Sequence, residues 1–330
     1  MKTLLTTTSV VVAAALALGV GPASVTKDAE AAWKPKQPVE LVIMARKGSG
    51  ADRLARFIWG IIKKEKISKV PFVPINKGGN SGAEALRYLR DKAGDRHVVM
   101  ATLNSYFTTP LRNPDLGVDI SKFTPIARLA LETFQLWVHT DTNIKNVDDY
   151  VVAAKKAGPA NWKMGGTNKG AEDSLVTALL ESSYGFKVTY VPLGGGRAVA
   201  KQLIDKHVNS TVNNPSEQVG FWQAGKSRPL ATFTPTRVKA FPNVPTFREL
   251  GHDLVYFMQR SIIAPPGINK DAQAYYVEVF SKVHKSKEWQ SYLTKKGMIP
   301  AWLTGAKLTK YFVAERAAHR EFLESIGEIQ

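Results

Sequence analysis

Hydrophobic and polar positions along this chain follow two periods in turn. A mostly apolar segment at residues 39–44 predicts a buried β-strand. Leu54, Phe57, Ile58 and Ile61 then recur at helical spacing and predict an amphipathic helix. The order of strand, polar loop and helix returns through most of the chain. The pattern therefore predicts an α/β fold.

The alternation starts again near residue 134, and no flexible linker separates the two halves. This arrangement predicts two α/β lobes joined by a hinge of crossing strands, at residues 131–136 and 256–262. The C-terminal helices would then return to the first lobe. We expect the first lobe at 32–133 plus 258–330 and the second at 134–257.

The N-terminus has the pattern of an export signal. The apolar run at residues 10–20 is shorter than the roughly 20 residues that cross a bilayer, and it fits the core of a signal peptide. An Ala-Glu-Ala cleavage site ends at residue 31, which predicts a signal peptide at 1–31; cleavage near Ala23 is the alternative. The sequence has no cysteine, so it offers no attachment point for a lipid anchor. We expect a cleaved protein that is free in the periplasm.

The formal net charge is +17. Such a charge favours anionic partners through its long-range field, although it is equally consistent with a role in solubility alone. The lysines are scattered rather than grouped with aromatic residues, so we expect no nucleic-acid partner.

Polar, glycine-bearing loops follow the predicted strands of the first lobe, where ligands bind in open α/β sheets. The loop at 46–52 joins a strand to a helix, so its main chain can approach a ligand closely and its N–H groups can face an anion. We expect Asp52 to cap that helix rather than to touch a ligand. The first-lobe candidates for ligand binding are Arg46, Lys47, Gly48, Ser49, Gly50, Asn80, Asn104 and Ser105.

Comparable loops occur in the second lobe, at residues 165–170 and 194–197. If the two sets face one another across a cleft, they can hold an anion from both sides. Arg46 and Arg197 are the preferred cations because a guanidinium binds a carboxylate through two parallel N–H bonds, with a solvated surface position as the alternative for each. The second-lobe candidates are Gly166, Thr167, Asn168, Gly170, Gly195, Arg197 and, by position alone, Asn214 and Phe134.

One segment, 220–227, matches the Walker A pattern but lacks its context. A phosphate-binding loop needs a strand before it and a helix after it, whereas here a strand is predicted after the loop. The histidines have no metal-binding spacing, and no G-x-S-x-G sequence is present. We therefore expect no cofactor, no metal and no catalysis. A hydrolytic enzyme, built from carboxylates that converge in space, is the contrasting hypothesis.

Several segments resemble the receptors of tripartite tricarboxylate transporters, the Bug or TctC family. The most characteristic stretches are LATFTPTR at 230–237 and FPNVPTFRELG at 241–251. APPG at 264–267, FTPI at 123–126 and NKGGNSG at 76–82 match further family elements in the same order. The resemblance covers nearly all of the chain that follows the predicted signal peptide.

The resemblance implies a two-lobe periplasmic binding protein of the Venus-flytrap kind, type II-like, that closes on its ligand. It implies a small organic carboxylate held largely by backbone amides and waters, from loop 47–52 in one lobe and loop 167–171 in the other. It also implies delivery of that ligand to a large and a small integral membrane subunit. We expect the receptor to be a monomer. A receptor that serves a signalling partner would look the same in sequence.

The chain departs from the family pattern in both loops. Arg46 and Lys47 stand where the family usually has prolines, and Asn168 and Ala171 replace a glycine and a serine. Arg197 stands where small residues are common. Our hypothesis is that these cations bind a second carboxylate, which favours a di- or tricarboxylate ligand.

Overall fold

The computed structural model describes residues 33–330. The predicted signal peptide, its cleavage site and the alternative at Ala23 lie outside the described residues. No helix between residues 33 and 330 is both long and apolar enough to span a bilayer.

Eleven strands form in the described part of the chain. In order they are β1 Val39–Ile43, β2 Phe72–Asn76, β3 Val98–Thr102, β4 Thr124–Thr133, β5 Gln135–His139, β6 Lys163–Gly166, β7 Thr189–Pro192, β8 Ser210–Asn213, β9 Ser227–Thr232, β10 Phe257–Ala264 and β11 Ile299–Leu303.

Ten α-helices lie between and after these strands. They are α1 Gly50–Lys64, α2 Ala83–Asp91, α3 Ser105–Arg112, α4 Val147–Ala157, α5 Glu172–Tyr184, α6 Gly196–Ile204, α7 Pro215–Gln223, α8 Lys270–Lys285, α9 Lys287–Lys296 and α10 Gly305–Ser325.

The strands form two separate sheets, each of which is the centre of one lobe. The first sheet has the order β11-β4-β10-β3-β1-β2, and the second has the order β7-β6-β8-β5-β9. In the first sheet β1 pairs in parallel with β2 and β3, while β10 runs antiparallel to β3 and β4. In the second sheet β6 is parallel to β7 and β8, and β5 is antiparallel to β8 and β9. The predicted two-lobe α/β architecture is confirmed.

Both faces of each sheet are buried, which explains why apolar residues predominate at consecutive positions of the strands. On β1, Leu41 packs with Ile58 of α1 on one face, while Val42 packs with Phe312 of α10 on the other. On β5, Leu136 and Trp137 likewise belong to two different hydrophobic clusters of the second lobe. Alternate residues of each strand therefore fill two layers of core.

The chain passes between the sheets at two points. β4 belongs to the first sheet and β5 to the second, and only Phe134 separates them. The return runs from β9 through residues 233–256, which pack on the second lobe, into β10 of the first sheet. Helices α8 and α10 then pack against β4.

Strand β11 was not predicted, because the sequence after residue 270 was interpreted as helical. β11 is a short edge strand that pairs only with β4 and contains Pro300. Proline lacks a backbone N–H, so it disrupts the sequence signal for a strand but is tolerated at a sheet edge.

Candidate functional site

A cavity of about 110 Å³ lies between the two lobes. Its first-lobe wall comes from the loop after β1, the loop before α2, the start of α3 and strand β10. Its second-lobe wall comes from the loop after β6, the loop after β7 and the start of α7. The lining includes Ala45, Arg46, Ser49, Gly50, Ala51, Ser105, Met258 and Arg260 from the first lobe, and Thr167, Asn168, Glu172, Asp173, Gly194, Gly195, Asn214 and Glu217 from the second.

The N-terminus of α1 opens into this cavity. The Ser49 hydroxyl accepts a hydrogen bond from the Asp52 N–H (3.2 Å), so Ser49 and not Asp52 is the capping residue. The Asp52 carboxylate instead accepts from the Gly48 N–H (2.8 Å). The N–H groups of Gly50 and Ala51 have no acceptor among the described residues. They leave the positive end of the helix available to an anion.

A buried ion pair stands beside this helix end. Arg260 of β10 binds Glu132 of β4 through Nε (2.9 Å to Oε2) and Nη2. Arg260 is 5% exposed and Glu132 is 2% exposed. The remaining guanidinium nitrogen, Nη1, is buried and has no hydrogen-bond partner among residues 33–330. Arg260 lines the cavity, so an anionic ligand can supply the missing acceptor.

The second-lobe loop uses its amides internally. The Thr167 N–H donates to Asp173 (2.8 Å), and the Gly170 N–H donates to the hydroxyl of Ser174 (2.7 Å). The N–H groups of Thr167 and Gly170, which were expected to bind a ligand carboxylate, are therefore already used within the loop. The carboxylates of Glu172 and Asp173 line the cavity in their place.

The surroundings of Asp173 raise its pKa strongly. Burial, together with the negative charges of Glu172 and Glu217, raises the pKa of Asp173 to about 7. The hydrogen bond from the Thr167 N–H opposes the shift.

Polar contacts join the lobes around the cavity. Glu172 of α5 accepts hydrogen bonds from the N–H and the hydroxyl of Ser105 of α3. Glu217 of α7 forms an ion pair with Arg53 of α1. Burial raises the pKa of Glu217, and the positive charge of Arg53 opposes that shift. A Cβ on Gly50 would lie 2.4 Å from the Glu217 carboxylate, so the glycine makes this close approach feasible.

The structure brings eight of the sequence-predicted ligand residues to one cavity. They are Arg46, Ser49, Gly50, Ser105, Thr167, Asn168, Gly195 and Asn214. Asn214 also donates from its side-chain amide to the Thr133 carbonyl (2.8 Å), so part of its hydrogen-bonding capacity is already used.

Several other candidates lie away from the cavity wall on exposed segments. The side chains of Lys47, Asn80 and Arg197 are exposed, as is Gly48. Arg197 is the second residue of α6, and this position directs it outward rather than toward the cavity. Its proposed contact with a second carboxylate therefore has no support from the geometry.

The remaining candidates are buried parts of the framework. Asn104 is fully buried, and its side chain bonds the Phe257 carbonyl (2.7 Å) and the Gln259 N–H (2.9 Å). Gly166 and Gly170 are buried, and the space beside them is filled by Tyr190 and Arg112, respectively. The candidate Phe134 is fully buried and belongs to the hydrophobic core of the second lobe.

The predictions missed Arg260, Glu132, Glu172, Asp173 and Glu217. The available signal was the presence of Glu132 and Arg260 in two otherwise largely apolar strands, β4 and β10. Glu172 and Asp173 lie in the first turn of α5, where acidic residues commonly stabilise a helix through its dipole. Their position in the sequence therefore did not indicate a ligand site.

Two alternative chemistries can be tested against this geometry. The Walker-like segment 220–227 begins inside α7 and ends at the first residue of β9, so the order is helix then strand, the reverse of a phosphate-binding loop. Residues 33–330 contain no group of three His, Cys, Asp or Glu side chains arranged to hold a metal ion.

Comparison with known proteins agrees with this architecture. The sequence of residues 63–327 matches the family model described as "Tripartite tricarboxylate transporter family receptor". A protein of Cupriavidus necator described as "UPF0065 protein in gbd 5'region" is 24% identical over 314 residues, which cover 95% of each chain. The periplasmic binding protein BugD superimposes with a TM-score of 0.81 at 19% identity, over 89% of this chain and 99% of BugD. R. palustris Rpa4515, solved with adipate, gives a TM-score of 0.81 at 24% identity, over 89% and 98%. The chain therefore belongs to the family of tripartite tricarboxylate transporter receptors.

Proposed function

We propose that this protein is an exported receptor that captures a small organic carboxylate between its two lobes and delivers it to integral membrane transporter subunits. The observation that carries this proposal is the pairing of Arg260 with the open N-terminus of α1 on one cavity wall. Arg260 offers an unused guanidinium nitrogen, and α1 offers the N–H groups of Gly50 and Ala51. This combination of donors suits a carboxylate group.

The size of the cavity limits the ligand. A buried cavity of about 150 Å³ holds one benzene molecule, and this cavity has a volume of about 110 Å³. The ligand is therefore a compact metabolite with few non-hydrogen atoms. The bound adipate of R. palustris Rpa4515 supports the carboxylate class.

Binding would act through lobe closure. In this proposal residues 32–133 and 258–330 move against residues 134–257, with the hinge at Phe134 and at the start of β10. Contacts such as Ser105–Glu172 and Arg53–Glu217 exist only when the lobes are together. A ligand stabilises the closed form only as far as it binds that form more tightly than the open one.

The proposed receptor works without a cofactor and as a monomer in the periplasm. Its partners are the large and small membrane subunits of the transporter. No histidine lines the described cavity, so the wall lacks the side chain that acts most often as a general base. This composition supports binding rather than turnover.

Titration calorimetry on the purified protein tests the proposal. Small carboxylates are expected to bind, and the substitution Arg260→Gln combined with Glu132→Gln is expected to abolish the signal. Arg128→Gln is the matched control because Arg128 lies on β4 and contacts Tyr311 and the Ala301 carbonyl, outside the cavity. Unchanged carboxylate affinity in the Arg260 variant would contradict the proposed site.

Transport requires a second measurement. Uptake of the bound carboxylate by cells should need both this receptor and the membrane subunits of the transporter. Uptake that is unaffected when those subunits are deleted would contradict the delivery step while leaving the binding function intact.

A further inference from the structure

The two walls of the cavity have opposite chemical character. The first-lobe wall provides Arg260 and the N–H groups of Gly50 and Ala51. The second-lobe wall provides Glu172 and Asp173, which are each only 3% exposed. A ligand that fits between these walls meets hydrogen-bond donors on one side and carboxylates on the other.

Each second-lobe carboxylate is hydrogen-bonded by a single residue of the described chain. Oε1 of Glu172 accepts from the Ser105 N–H (2.7 Å) and hydroxyl (3.0 Å), which leaves Oε2 without a partner among residues 33–330. Asp173 accepts from the N–H of Thr167 at Oδ2 (2.8 Å) and from the Thr167 side chain. Each residue therefore has acceptor capacity left at the cavity wall.

Neither acid has a cationic partner. Glu132 is paired with Arg260 and Glu217 with Arg53, so two of the four buried acids around the cavity are neutralised. No lysine or arginine of the described chain forms a salt bridge with Glu172 or Asp173. Buried charges are normally paired, and a cation from outside the chain would complete this site.

A second carboxylate on the ligand would be poorly placed here. It would either stand against Glu172 and Asp173 or compete for the donors already used by the first carboxylate. Burial and the neighbouring acids already raise the pKa of Asp173 to about 7, which shows how strongly this wall disfavours additional negative charge.

We propose that the ligand carries a protonated amine as well as a carboxylate, so that this receptor binds a small amino acid or a related zwitterion. The carboxylate lies against Arg260 and the N-terminus of α1, and the ammonium group lies against Glu172 and Asp173. This inference rests on the proposed carboxylate-binding function and replaces the di- or tricarboxylate preference with a narrower class.

Matched ligand pairs that differ only by an amino group test the inference on the unmodified protein. Calorimetry compares alanine with propionate, aspartate with succinate, and glutamate with glutarate. The amino member of at least one pair should bind about tenfold or more tightly than its partner, a difference of about 1.4 kcal/mol.

Isosteric variants then assign the preference to this wall. Glu172→Gln combined with Asp173→Asn keeps an oxygen for Ser105 and for Thr167, so the loops can retain their contacts. In this variant the tenfold preference should fall to about twofold or less, a residual difference of about 0.4 kcal/mol. Asp148→Asn, an exposed acid of the same lobe, is the control and should keep the full preference.

The results distinguish a failure of the inferred preference for amino ligands from a failure of the proposed carboxylate-binding function. Plain carboxylates that bind as tightly as their amino partners, or more tightly, would overturn the inference and leave the proposed function standing. A preference that persists in the double variant would also overturn the assignment to Glu172 and Asp173. If no member of any pair binds, the proposed carboxylate function fails, and the inference fails with it.

Discussion

The carboxylate of Glu172 reaches across the cleft and accepts two hydrogen bonds from Ser105, one from its N–H at 2.7 Å and one from its hydroxyl at 3.0 Å. Glu172 begins α5 of the second lobe, and Ser105 begins α3 of the first. Both residues are buried. Because hydrogen bonds to a charged group are stronger than neutral ones, this contact favours the closed arrangement of the lobes.

Replacing Ser105 with alanine removes the hydroxyl bond and keeps the N–H bond. We expect the closed form to lose about 1.5–3 kcal/mol of stabilisation, because the lost hydrogen bond is one to a charged group. Ligand affinity should therefore fall by roughly 10- to 150-fold. Calorimetry measures the change, and Ser325→Ala, at the exposed end of α10, is the control. Equal affinity in both variants would show that the Ser105 hydroxyl does not contribute to closure.

Helix α1 contains two glycines that offer a matched comparison. A Cβ on Gly50 would lie 2.4 Å from Oε1 of Glu217, whereas a Cβ on Gly60 would meet nothing within 4 Å. Gly50→Ala should therefore weaken ligand binding, because Glu217 must shift before the lobes can meet. Gly60→Ala should keep the affinity and stabilise the fold by up to about 1 kcal/mol, since alanine favours a helix interior. Calorimetry and chemical denaturation together distinguish the two effects.

The Arg260–Glu132 pair allows stability and binding to be separated. Arg260→Met alone leaves Glu132 as an unpaired buried charge, which should lower the free energy of unfolding by about 3–5 kcal/mol. Adding Glu132→Gln removes that charge and should restore most of the stability, while carboxylate binding stays lost. Urea denaturation and calorimetry on both variants provide the test. Recovered binding in the double variant would exclude Arg260 from the ligand site.

Asp173 predicts a pH dependence of folding. Its folded pKa of about 7 lies above the 3.8 of an ordinary aspartate, so the folded state binds the proton more tightly than the unfolded state. The stabilisation conferred by this proton is complete below the unfolded pKa and is lost as the pH rises toward about 7. From about pH 5 to about pH 8, the wild-type protein should therefore lose roughly 2–3 kcal/mol of stability relative to Asp173→Asn.

Denaturation curves at the two pH values measure this difference directly. The comparison with Asp173→Asn cancels the contributions of other titrating groups, including the buried His319, whose pKa is lowered by burial. Asp148→Asn, with an exposed side chain, should show no comparable change with pH. A pH-independent difference between wild type and Asp173→Asn would mean that Asp173 titrates normally.

Local sequence patterns are sufficient to predict the layered α/β fold and the main loops around the cavity. The apolar runs that form β1 and β5 and the helical spacing along α1 are local signals, because the period of side-chain burial follows from backbone geometry. The loops that line the cavity could also be predicted, since the loop after β1 and the loop after β6 both follow strands, where ligands bind in open α/β sheets. Ser49 and Thr167 are predicted in this way, and both line the cavity.

The set of side chains that meet in the cavity depends on the packing of distant segments. Arg260 and Glu132 are 128 residues apart and face each other because β10 lies beside β4. Arg46 lines the cavity while Arg197 lies outside it, although both belong to glycine-bearing segments that come after a strand. Orientation around a helix end and pairing between distant strands depend on packing across the whole molecule. A local pattern cannot specify them, and for this reason the charge of the cavity wall emerged only from the folded chain.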